Sequence, residues 1–365
     1  MSEKIWYEVA SNFINAAKLP FPINDTVIEV MKTIMTEEQA KFLLLFKKSS
    51  YNIDEVKTIS NLDEDSLMKM LKDLMHIGAI TGIPSRSTGI MVYRLTPFFP
   101  GVLEFTLMRG ETGEKEKKLA KLFDKFFKEL VEMTQGNYDR IMKALKNANP
   151  IDRIIPVEEE VEIKEEKVFT FEEISKVIEK YDPIGLMTCY CRHRKDLLND
   201  PCKKTKDRKN CFSFGKAASF LISEGFAEQI SKEEAKTILK QCEDDGLVHK
   251  GFHVHLDPER ELDGMCNCCK CCCGTFDIHY AGGIPLMSLA SHVANVNEDD
   301  CIGCGTCVEM CNAEAVELED TLAVVNEDRC IGCGICAHFC PEKAMTLVRI
   351  EPRKVFVPPP KLTTN

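Results

Sequence analysis

A short cysteine motif occurs twice near the end of the chain. CIGCGTCVEMC at 301–311 recurs as CIGCGICAHFC at 330–340, offset by 29 residues, and both copies have the spacing C-x2-C-x2-C-x3-C. Three thiols so close together converge on one centre only if the backbone turns tightly. Each copy carries two glycines that allow such turns: Gly303 and Gly305, then Gly332 and Gly334. The repeat therefore predicts two duplicated metal-binding loops, with a zinc site or idle thiols as the alternative.

The pattern resembles the two-cluster bacterial-type ferredoxins over roughly residues 295–349. In those proteins the fourth cysteine of each motif ligates the other cluster. The resemblance implies two [4Fe-4S] clusters with crossed ligand sets. One set would be Cys301, Cys304, Cys307 and Cys340, and the other would be Cys330, Cys333, Cys336 and Cys311. One departure from the ferredoxin pattern is visible, since Asn312 stands where the second motif has Pro341, but that position supplies no ligand.

A second group of cysteines precedes the repeat, and all 19 cysteines of the chain lie beyond residue 188. Cys242 stands alone in a predicted helix. The others are Cys189, Cys191, Cys202 and Cys211, followed by Cys266, Cys268, Cys269, Cys271, Cys272 and Cys273 within MCNCCKCCCG. A cubane accepts four protein ligands, and adjacent side chains tend to point in different directions. We therefore expect the crowded six to be divided between sites.

These middle cysteines are predicted to bind one or two further [4Fe-4S] clusters. Cys189, Cys191, Cys202 and Cys211 would suit one cluster and four of the crowded six the other, although the spacing leaves the partition open. Structural zinc is the alternative, because tetrahedral zinc accepts both Cys and His. Nearby histidines in the sequence are His193, His249, His253, His255 and His279. Cys242 is expected to pack rather than to ligate.

Residues 1–145 contain no cysteine and are predicted to be mostly helical. The predicted order of three helices and a hairpin resembles a winged-helix domain. The signals are a capping box at Thr36 and Gln39, a short helix at 53–59, a helix opened by Asn61 and Glu64, a strand at 90–95, and an amphipathic helix over 114–133.

The whole chain is predicted to be an α+β multidomain protein, and the composition of the remaining residues indicates where its parts begin and end. We expect a charged linker at 146–167, a cysteine-rich α-helical domain at 168–290, a ferredoxin-like module at 291–350 and a tail at 351–365. Two more capping boxes, Thr170 with Glu173 and Ser231 with Glu234, predict helices inside the cysteine-rich domain.

Composition and charge restrict the classes of function. The sequence has no apolar run of the roughly 18 residues that a membrane span needs, and MSEKIWYEVA does not resemble a secretory signal, so we expect a cytoplasmic protein. In that reducing compartment metal binding is favoured over disulfides. The net charge of −11 argues against general affinity for nucleic acid and fits docking against a basic partner.

A wider resemblance covers most of the chain. CYCR, SKEEA, GLVH, CNCC-x-CCC and the double motif, together with PFFPG near residue 100, resemble a family of prokaryotic 4Fe-4S dicluster proteins found mainly in anaerobes. The resemblance implies an iron–sulfur electron-transfer protein, or an electron-transfer subunit of an oxidoreductase. It would pass single electrons to or from a redox partner, and the N-terminal domain would anchor it or form a homodimer.

The alternative function is a redox-sensing winged-helix regulator of transcription. Such a domain reads DNA with its third helix, yet Asp63, Glu64 and Asp65 occupy the start of that helix here, with Arg86 and Arg94 as the nearby basic residues. Catalysis has little support, because the sequence has no Gly-rich nucleotide fingerprint and no nucleophile with a recognisable base.

Overall fold

The structure is a computed structural model that describes residues 2–16, 21–85, 87–146, 151–161, 174–252, 262–284, 287–350 and 358–362. The helices are α1 (Ser2–Ala16), α2 (Asp25–Ile34), α3 (Glu37–Leu43), α4 (Ile53–Ser60), α5 (Glu64–His76), α6 (Leu103–Met108), α7 (Glu114–Gly136), α8 (Tyr138–Leu145), α9 (Ile174–Lys180), α10 (Tyr190–Leu197), α11 (Gly215–Ser223), α12 (Lys232–Asp244), α13 (Gly274–Tyr280), α14 (Thr306–Met310) and α15 (Ile335–His338). The strands are β1 (Ile80–Pro84), β2 (Met91–Leu95), β3 (Asp152–Ile155), β4 (Ile184–Thr188), β5 (Lys209–Phe214), β6 (Glu228–Ile230), β7 (Val248–Phe252), β8 (Gly264–Cys268), β9 (Met287–Ser288), β10 (His292–Val296), β11 (Val316–Glu319), β12 (Leu322–Val325) and β13 (Met345–Arg349).

Helices α1 to α5 and the β1–β2 hairpin open the chain. The capping box at Thr36 and Gln39 is confirmed, since each side chain accepts the other residue's backbone N–H. The predicted helix start at Asn61 is wrong. Asn61 ends α4 in the left-handed conformation that asparagine tolerates, and Asp63 caps α5 by accepting the N–H of Ser66. The predicted helix at 53–59 and strand at 90–95 correspond to α4 and β2.

Helix α7 connects the N-terminal helices to the cysteine-rich part. Its apolar face is buried as predicted, and the Phe126 ring meets Phe98 edge-on at 5.1 Å between centroids. The same helix contacts α2 among the N-terminal helices and α10 and α13 in the cysteine-rich part. Buried side chains from both regions therefore form one continuous core that reaches Cys189, Cys191 and Cys211.

The cysteine-rich region is built on a sheet, so the prediction of an α-helical domain is wrong. Seven strands lie in the order β6-β4-β5-β8-β7-β3-β9. The pairings are antiparallel except for β3 with β9. The central strands are buried along nearly their whole length, so they lack the apolar–polar alternation that signals a half-exposed strand.

The expected linker at 146–167 contains an element of this sheet. Asp152–Ile155 forms β3, because Ile154 and Ile155 are buried when the strand pairs with β7. A single 3-10 turn follows at Glu158–Glu160. The capping box at Ser231 is confirmed at the start of α12, whereas Thr170 and Glu173 lie outside the described residues.

The last part of the chain, residues 291–350, is built from two similar halves. Strand β10 pairs with β13, β11 pairs with β12, and each cysteine loop leads into a short helix, α14 or α15. Its core is shared with the sheet, since Val157, Val248 and Phe276 belong to the same buried cluster as Ile335 and Leu347. Among the residues that the structure describes, none of the helices combines the length and apolar character that a membrane span requires.

Candidate metal centres

Two cavities in the last part of the chain are each lined by four cysteines. The first cavity is lined by Cys301, Cys304, Cys307 and Cys340. The second cavity is lined by Cys311, Cys330, Cys333 and Cys336. In each cavity three thiols come from one motif and the fourth from the other motif, which is the crossed grouping that the ferredoxin resemblance implies.

Glycines allow the loops around these cavities to close. Gly303 and Gly332 both have positive φ. A side chain at Gly303 would collide with the carbonyl oxygen of Thr321, and one at Gly332 with that of His292. The close approach of neighbouring backbone therefore requires glycine at both positions.

Backbone N–H groups point at sulfur in the second cavity. The N–H of Ala315 donates to Cys311 Sγ at 3.3 Å, and that of Ala294 to Cys330 Sγ at 3.5 Å. Such bonds stabilise thiolate and raise the potential of an iron–sulfur centre.

The two cavities differ in exposure. Cys304 of the first cavity is exposed, and the neighbouring Ile302 is 63% exposed. Cys330 and Cys336 of the second cavity are buried in the core shared with the sheet. The first cavity thus lies at the molecular surface and the second lies toward the sheet.

Six middle cysteines form a closed ring, which we call the thiol ring. Each sulfur lies close enough to two others to shift their pKa values: Cys189 is linked in this way to Cys191, Cys191 to Cys273, Cys273 to Cys268, Cys268 to Cys266, Cys266 to Cys211, and Cys211 back to Cys189. Strand geometry explains part of it, since residues 266 and 268 share one face of β8 and Cys211 is the register partner of Cys266 on β5.

Helices α10 and α13 complete the thiol ring. Cys189 and Cys273 immediately precede these helices, and the backbone N–H of Arg192 in the first turn of α10 donates to Cys189. The N–H of Gly274 donates to Cys191 Sγ at 3.2 Å. Helix N-termini favour negative charge, so the ring is placed to hold thiolates.

The other four middle cysteines form a separate group, which we call the thiol tetrad. Its members are Cys202, Cys269, Cys271 and Cys272, whose sulfurs all lie within 4.8 Å of one another. Cys202 comes from the loop after α10, and the other three occupy the turn between β8 and α13. The structure thereby groups Cys202 with the crowded stretch, and not with Cys189 and Cys211 as the sequence suggested.

Two buried cations lie beside these thiols. Arg192 is 1% exposed, and it donates to Asn210 Oδ1 at 2.6 Å, to the Asn267 carbonyl at 2.8 Å and to Cys269 Sγ at 3.7 Å. Lys250 forms an ion pair with Asp152 at 2.7 Å. Its positive charge acts to lower the pKa of Cys268 and Cys273 of the thiol ring.

Burial and neighbouring groups shift the pKa values of these cations in opposite directions. Burial acts to lower the pKa of Arg192, whereas negative charge on Cys189 and Cys269 would raise it, and the net shift is upward. Burial also acts to lower the pKa of Lys250, whereas Asp152 and the nearby Cys273 and Cys268 raise it. Burial raises the pKa of Asp152 to about 6. A buried guanidinium is destabilising unless negative charge compensates it, and metal-bound thiolates would supply that charge.

Cys242 packs against the thiol tetrad without belonging to it. It lies in a buried cluster with Leu247, Cys269 and Cys272. Burial raises the pKa of its thiol, so Cys242 stays protonated. This placement agrees with the expectation that it packs.

The described histidines have other partners or surroundings. His193 contacts the Glu111 carbonyl at 2.7 Å. His249 contacts Asn267 and Glu243. His279 is buried, which lowers its pKa to about 4. His253 and His255 lie outside the described residues.

Sequence reasoning missed two residues that shape these sites: Arg192 and Lys250. Arg192 directly follows Cys191 in CYCR, so a cation beside paired cysteines was a readable signal. Lys250 carried no such signal, because a lysine in a strand is normally exposed.

Comparison with known proteins supports an iron–sulfur protein. The sequence model of a family described as a 4Fe-4S dicluster domain matches residues 294–355. No significant match was found among curated proteins or among solved structures. The matched segment contains both cysteine-lined cavities, and the sheet that carries the thiol ring and tetrad lies before it.

Proposed function

We propose that this protein is a single-electron carrier that exchanges electrons with a redox partner through [4Fe-4S] clusters. One observation carries the proposal: within the segment that matches a 4Fe-4S dicluster domain, two cavities are each lined by four cysteines in the crossed pattern. A [4Fe-4S] cluster gains or loses one electron without any bond being made or broken. The protein then only has to hold, insulate and orient the clusters.

The proposed ligands follow the two cavities. Cys301, Cys304, Cys307 and Cys340 would hold the first cluster, and Cys311, Cys330, Cys333 and Cys336 the second. Backbone N–H groups of Ala294 and Ala315 would stabilise negative charge on the second.

We assign a third iron–sulfur centre to the thiol ring. Each of the six sulfurs contacts two neighbours, and no three of them lie within 4.8 Å of one another among the described residues. The ring is therefore too wide for one tetrahedral ion, whose ligands crowd together, and it suits a centre with several irons. Burial of the ring beside Arg192 and Lys250 supports an anionic occupant.

The layout suggests an order of transfer. The second cavity shares its core with the sheet that carries the thiol ring, so electrons would pass internally between these two. The first cavity lies at the surface and would face the partner. Apolar Ile302 and Leu318 line its mouth, and Glu342 lies on its rim.

Charge supports a basic partner at that surface. Residues 298–349 carry eleven acidic and three basic side chains, a balance of 3 − 11 = −8 before any cluster is counted. An acidic surface accelerates encounter with a basic patch and opposes like-charged proteins.

Metal analysis and redox titration of anaerobically purified protein test the proposal. We expect about eight irons from the two cavities, with matching sulfide, and further iron from the thiol ring. Cys333→Ser should reduce the iron content and abolish one reducible cluster, whereas Cys242→Ser should leave both unchanged. Protein that binds no iron, or iron that accepts no electrons from dithionite, would disprove the proposal.

The N-terminal helices are proposed as a protein-docking or dimerising domain. The order α3, α4, α5, β1, β2, with Tyr51 bridging to Tyr93, supports a winged-helix arrangement. The start of α5 is acidic, with Asp63 as its cap and Glu64 and Asp65 exposed, which would repel DNA phosphates. An anaerobic gel shift with genomic fragments in both redox states separates this proposal from a regulator. A tight shift that depends on redox state would favour the regulator.

A further inference from the structure

We propose that the thiol tetrad binds a single tetrahedral zinc ion, so that the cysteine-rich region contains two metal sites of different kinds. This inference goes beyond electron transfer, because a zinc ion has no redox chemistry and takes no part in it. It also assigns the four tetrad cysteines to one occupant.

The sulfur–sulfur distances carry the argument. Cys202 Sγ lies 3.6 Å from Cys269 Sγ and 3.8 Å from Cys271 Sγ. Cys271 Sγ lies 3.4 Å from Cys269 Sγ and 3.6 Å from Cys272 Sγ. With a Zn–S bond of about 2.3 Å, the edge of a regular ZnS4 tetrahedron is about 3.8 Å. Four of the six sulfur–sulfur distances thus already match the spacing that one ion imposes, and the other two are within 4.8 Å.

A cubane would require a different spacing. Each thiolate of a [4Fe-4S] cluster binds its own iron, so the ligand sulfurs stand farther apart than four on one ion. The eight thiols of the two cavities meet this condition, since the tetrad is the only group of three or more ligand atoms within 4.8 Å of one another among the described residues. The same chain therefore shows both spacings side by side.

The surroundings stabilise four thiolates on a divalent ion. Such a centre carries a charge of about −2. The guanidinium of Arg192 reaches Cys269 Sγ at 3.7 Å. The backbone N–H groups of Thr205 and Lys203 also lie near Cys202 and Cys271. Donors to metal-bound sulfur of this kind are the usual outer shell of a zinc–thiolate site.

The site is closed, as structural zinc sites are. Four protein ligands would complete a tetrahedron, which leaves no coordination position for water or substrate, and Cys242 and Leu247 pack against the buried thiols Cys269 and Cys272. The ion would tie the loop around Cys202, which has little regular structure, to the turn between β8 and α13.

Zinc content of the purified full-length protein tests this inference. Wild-type protein should contain about one zinc per chain in addition to its iron. Cys271→Ser should lower zinc at least tenfold while iron and acid-labile sulfide stay unchanged. The matched control is Cys242→Ser, which removes a buried thiol packed against the tetrad but outside it, and it should retain the zinc.

Cobalt substitution gives a second readout that does not depend on redox activity. Protein loaded with Co(II) should show the intense visible absorption of a tetrahedral tetrathiolate site, and Cys271→Ser should lose it. Loss of iron together with sulfide in Cys271→Ser would show a cluster here and overturn the inference. Loss of one iron without sulfide would show a mononuclear iron and overturn the zinc assignment. Failure of the electron-carrier proposal would instead appear as iron that cannot be reduced, with zinc intact.

Discussion

Arg192 is a buried positive charge that serves two groups of thiols. Its pKa is raised by Cys189 and Cys211 of the thiol ring and by Cys202 and Cys269 of the thiol tetrad. No carboxylate pairs with its guanidinium in the part of the chain that the structure describes. A buried guanidinium is strongly destabilising unless it is compensated, so the thiolates of the two proposed metal centres would be its counter-ions.

Replacing Arg192 should shift the potential of the thiol-ring centre. Reduction adds negative charge, which the guanidinium stabilises, so Arg192→Gln should lower the midpoint potential. A unit charge a few ångströms away contributes a few kcal/mol at an effective dielectric constant of about 20, which for one electron is on the order of 100 mV. Redox titration followed by EPR measures it, with the clusters of the two cavities as internal controls. An unchanged ring potential would contradict this role.

Asn312 joins the ferredoxin-like part to the cysteine-rich sheet. It is 2% exposed, accepts the N–H of Lys270 at 3.0 Å and donates to the Gly246 carbonyl at 3.0 Å. Pro341 at the equivalent place in the second motif is exposed and makes no such contact in the described structure. Asn312, where the first motif departs from the ferredoxin pattern, therefore holds the two parts of the chain together.

Removing that side chain should loosen the junction without unloading the clusters. Asn312→Ala leaves a buried N–H and C=O unpaired, which costs about 1–3 kcal/mol. Hydrogen exchange at the Lys270 amide should accelerate while the iron content stays constant. Pro341→Ala is the matched control and should leave that amide protected. Equal exchange in both variants would show that Asn312 does not hold the junction.

At the scale of elements, the irregular turn at Phe98–Val102 explains the PFFPG stretch. Phe98 and Phe99 are buried, and Gly101 takes a φ of 151° where a side chain would lie 2.6 Å from Thr96 Cγ2. Glu104 at the start of α6 accepts the Gly101 N–H at 2.6 Å. Burial raises the pKa of the Glu104 carboxyl, and the hydrogen bond from Gly101 lowers it. Burial has the larger effect, so the pKa is about 7.

The raised pKa predicts a pH-dependent stability. The folded protein holds this proton to about pH 7, whereas the unfolded chain loses it near 4.5, so stability falls as pH rises between these values. Glu104→Gln keeps the acceptor and removes the charge. We expect the variant to match wild type at pH 5 and to be more stable by about 1–2 kcal/mol at pH 8, reduced from the full shift because the side chain keeps some solvent contact.

Urea unfolding at both pH values measures this difference. The exposed Glu132→Gln is the control and should change stability equally at both. A gain at pH 5 as large as that at pH 8 would contradict the titration of Glu104.

At the scale of the molecule, charge and exposure divide the ferredoxin-like part into two sides. The side with the second cavity packs against the sheet through a shared core. The side with the first cavity exposes Ile302 and Leu318, with the acidic Glu342 beside them. An apolar patch with a charged rim is typical of a transient protein interface.

This arrangement predicts electron exchange that depends on salt. The rate constant for reduction by a basic redox protein should fall several-fold as ionic strength rises from about 0.01 to about 0.5 M, because the charges become screened. Stopped-flow absorbance measures the rate, and a neutral small-molecule reductant should show little dependence. A rate constant that does not change with ionic strength would contradict the prediction that charge attracts the redox partner.

Several features of the fold were predictable because their causes are local. The capping boxes at Thr36 and Ser231 depend on residues three positions apart, and the face of α7 depends on helical periodicity. The seven-stranded sheet was not predicted, because its strands are buried on both faces and pair over long separations in sequence. The winged-helix comparison and the domain boundaries stay predictions.

The sequence by itself determined the chemistry of the protein: a duplicated thiol motif, where it lies, and a crowded set of cysteines too numerous for one cubane. Only the tertiary structure decided which of the ten middle thiols meet. Cys202 and Cys211 lie nine residues apart, yet one joins the tetrad and the other the ring, because Cys211 is fixed in β5 while Cys202 lies in a loop. Spacing governs ligand sets formed within one tight loop, whereas strand register and helix packing govern those assembled from distant segments.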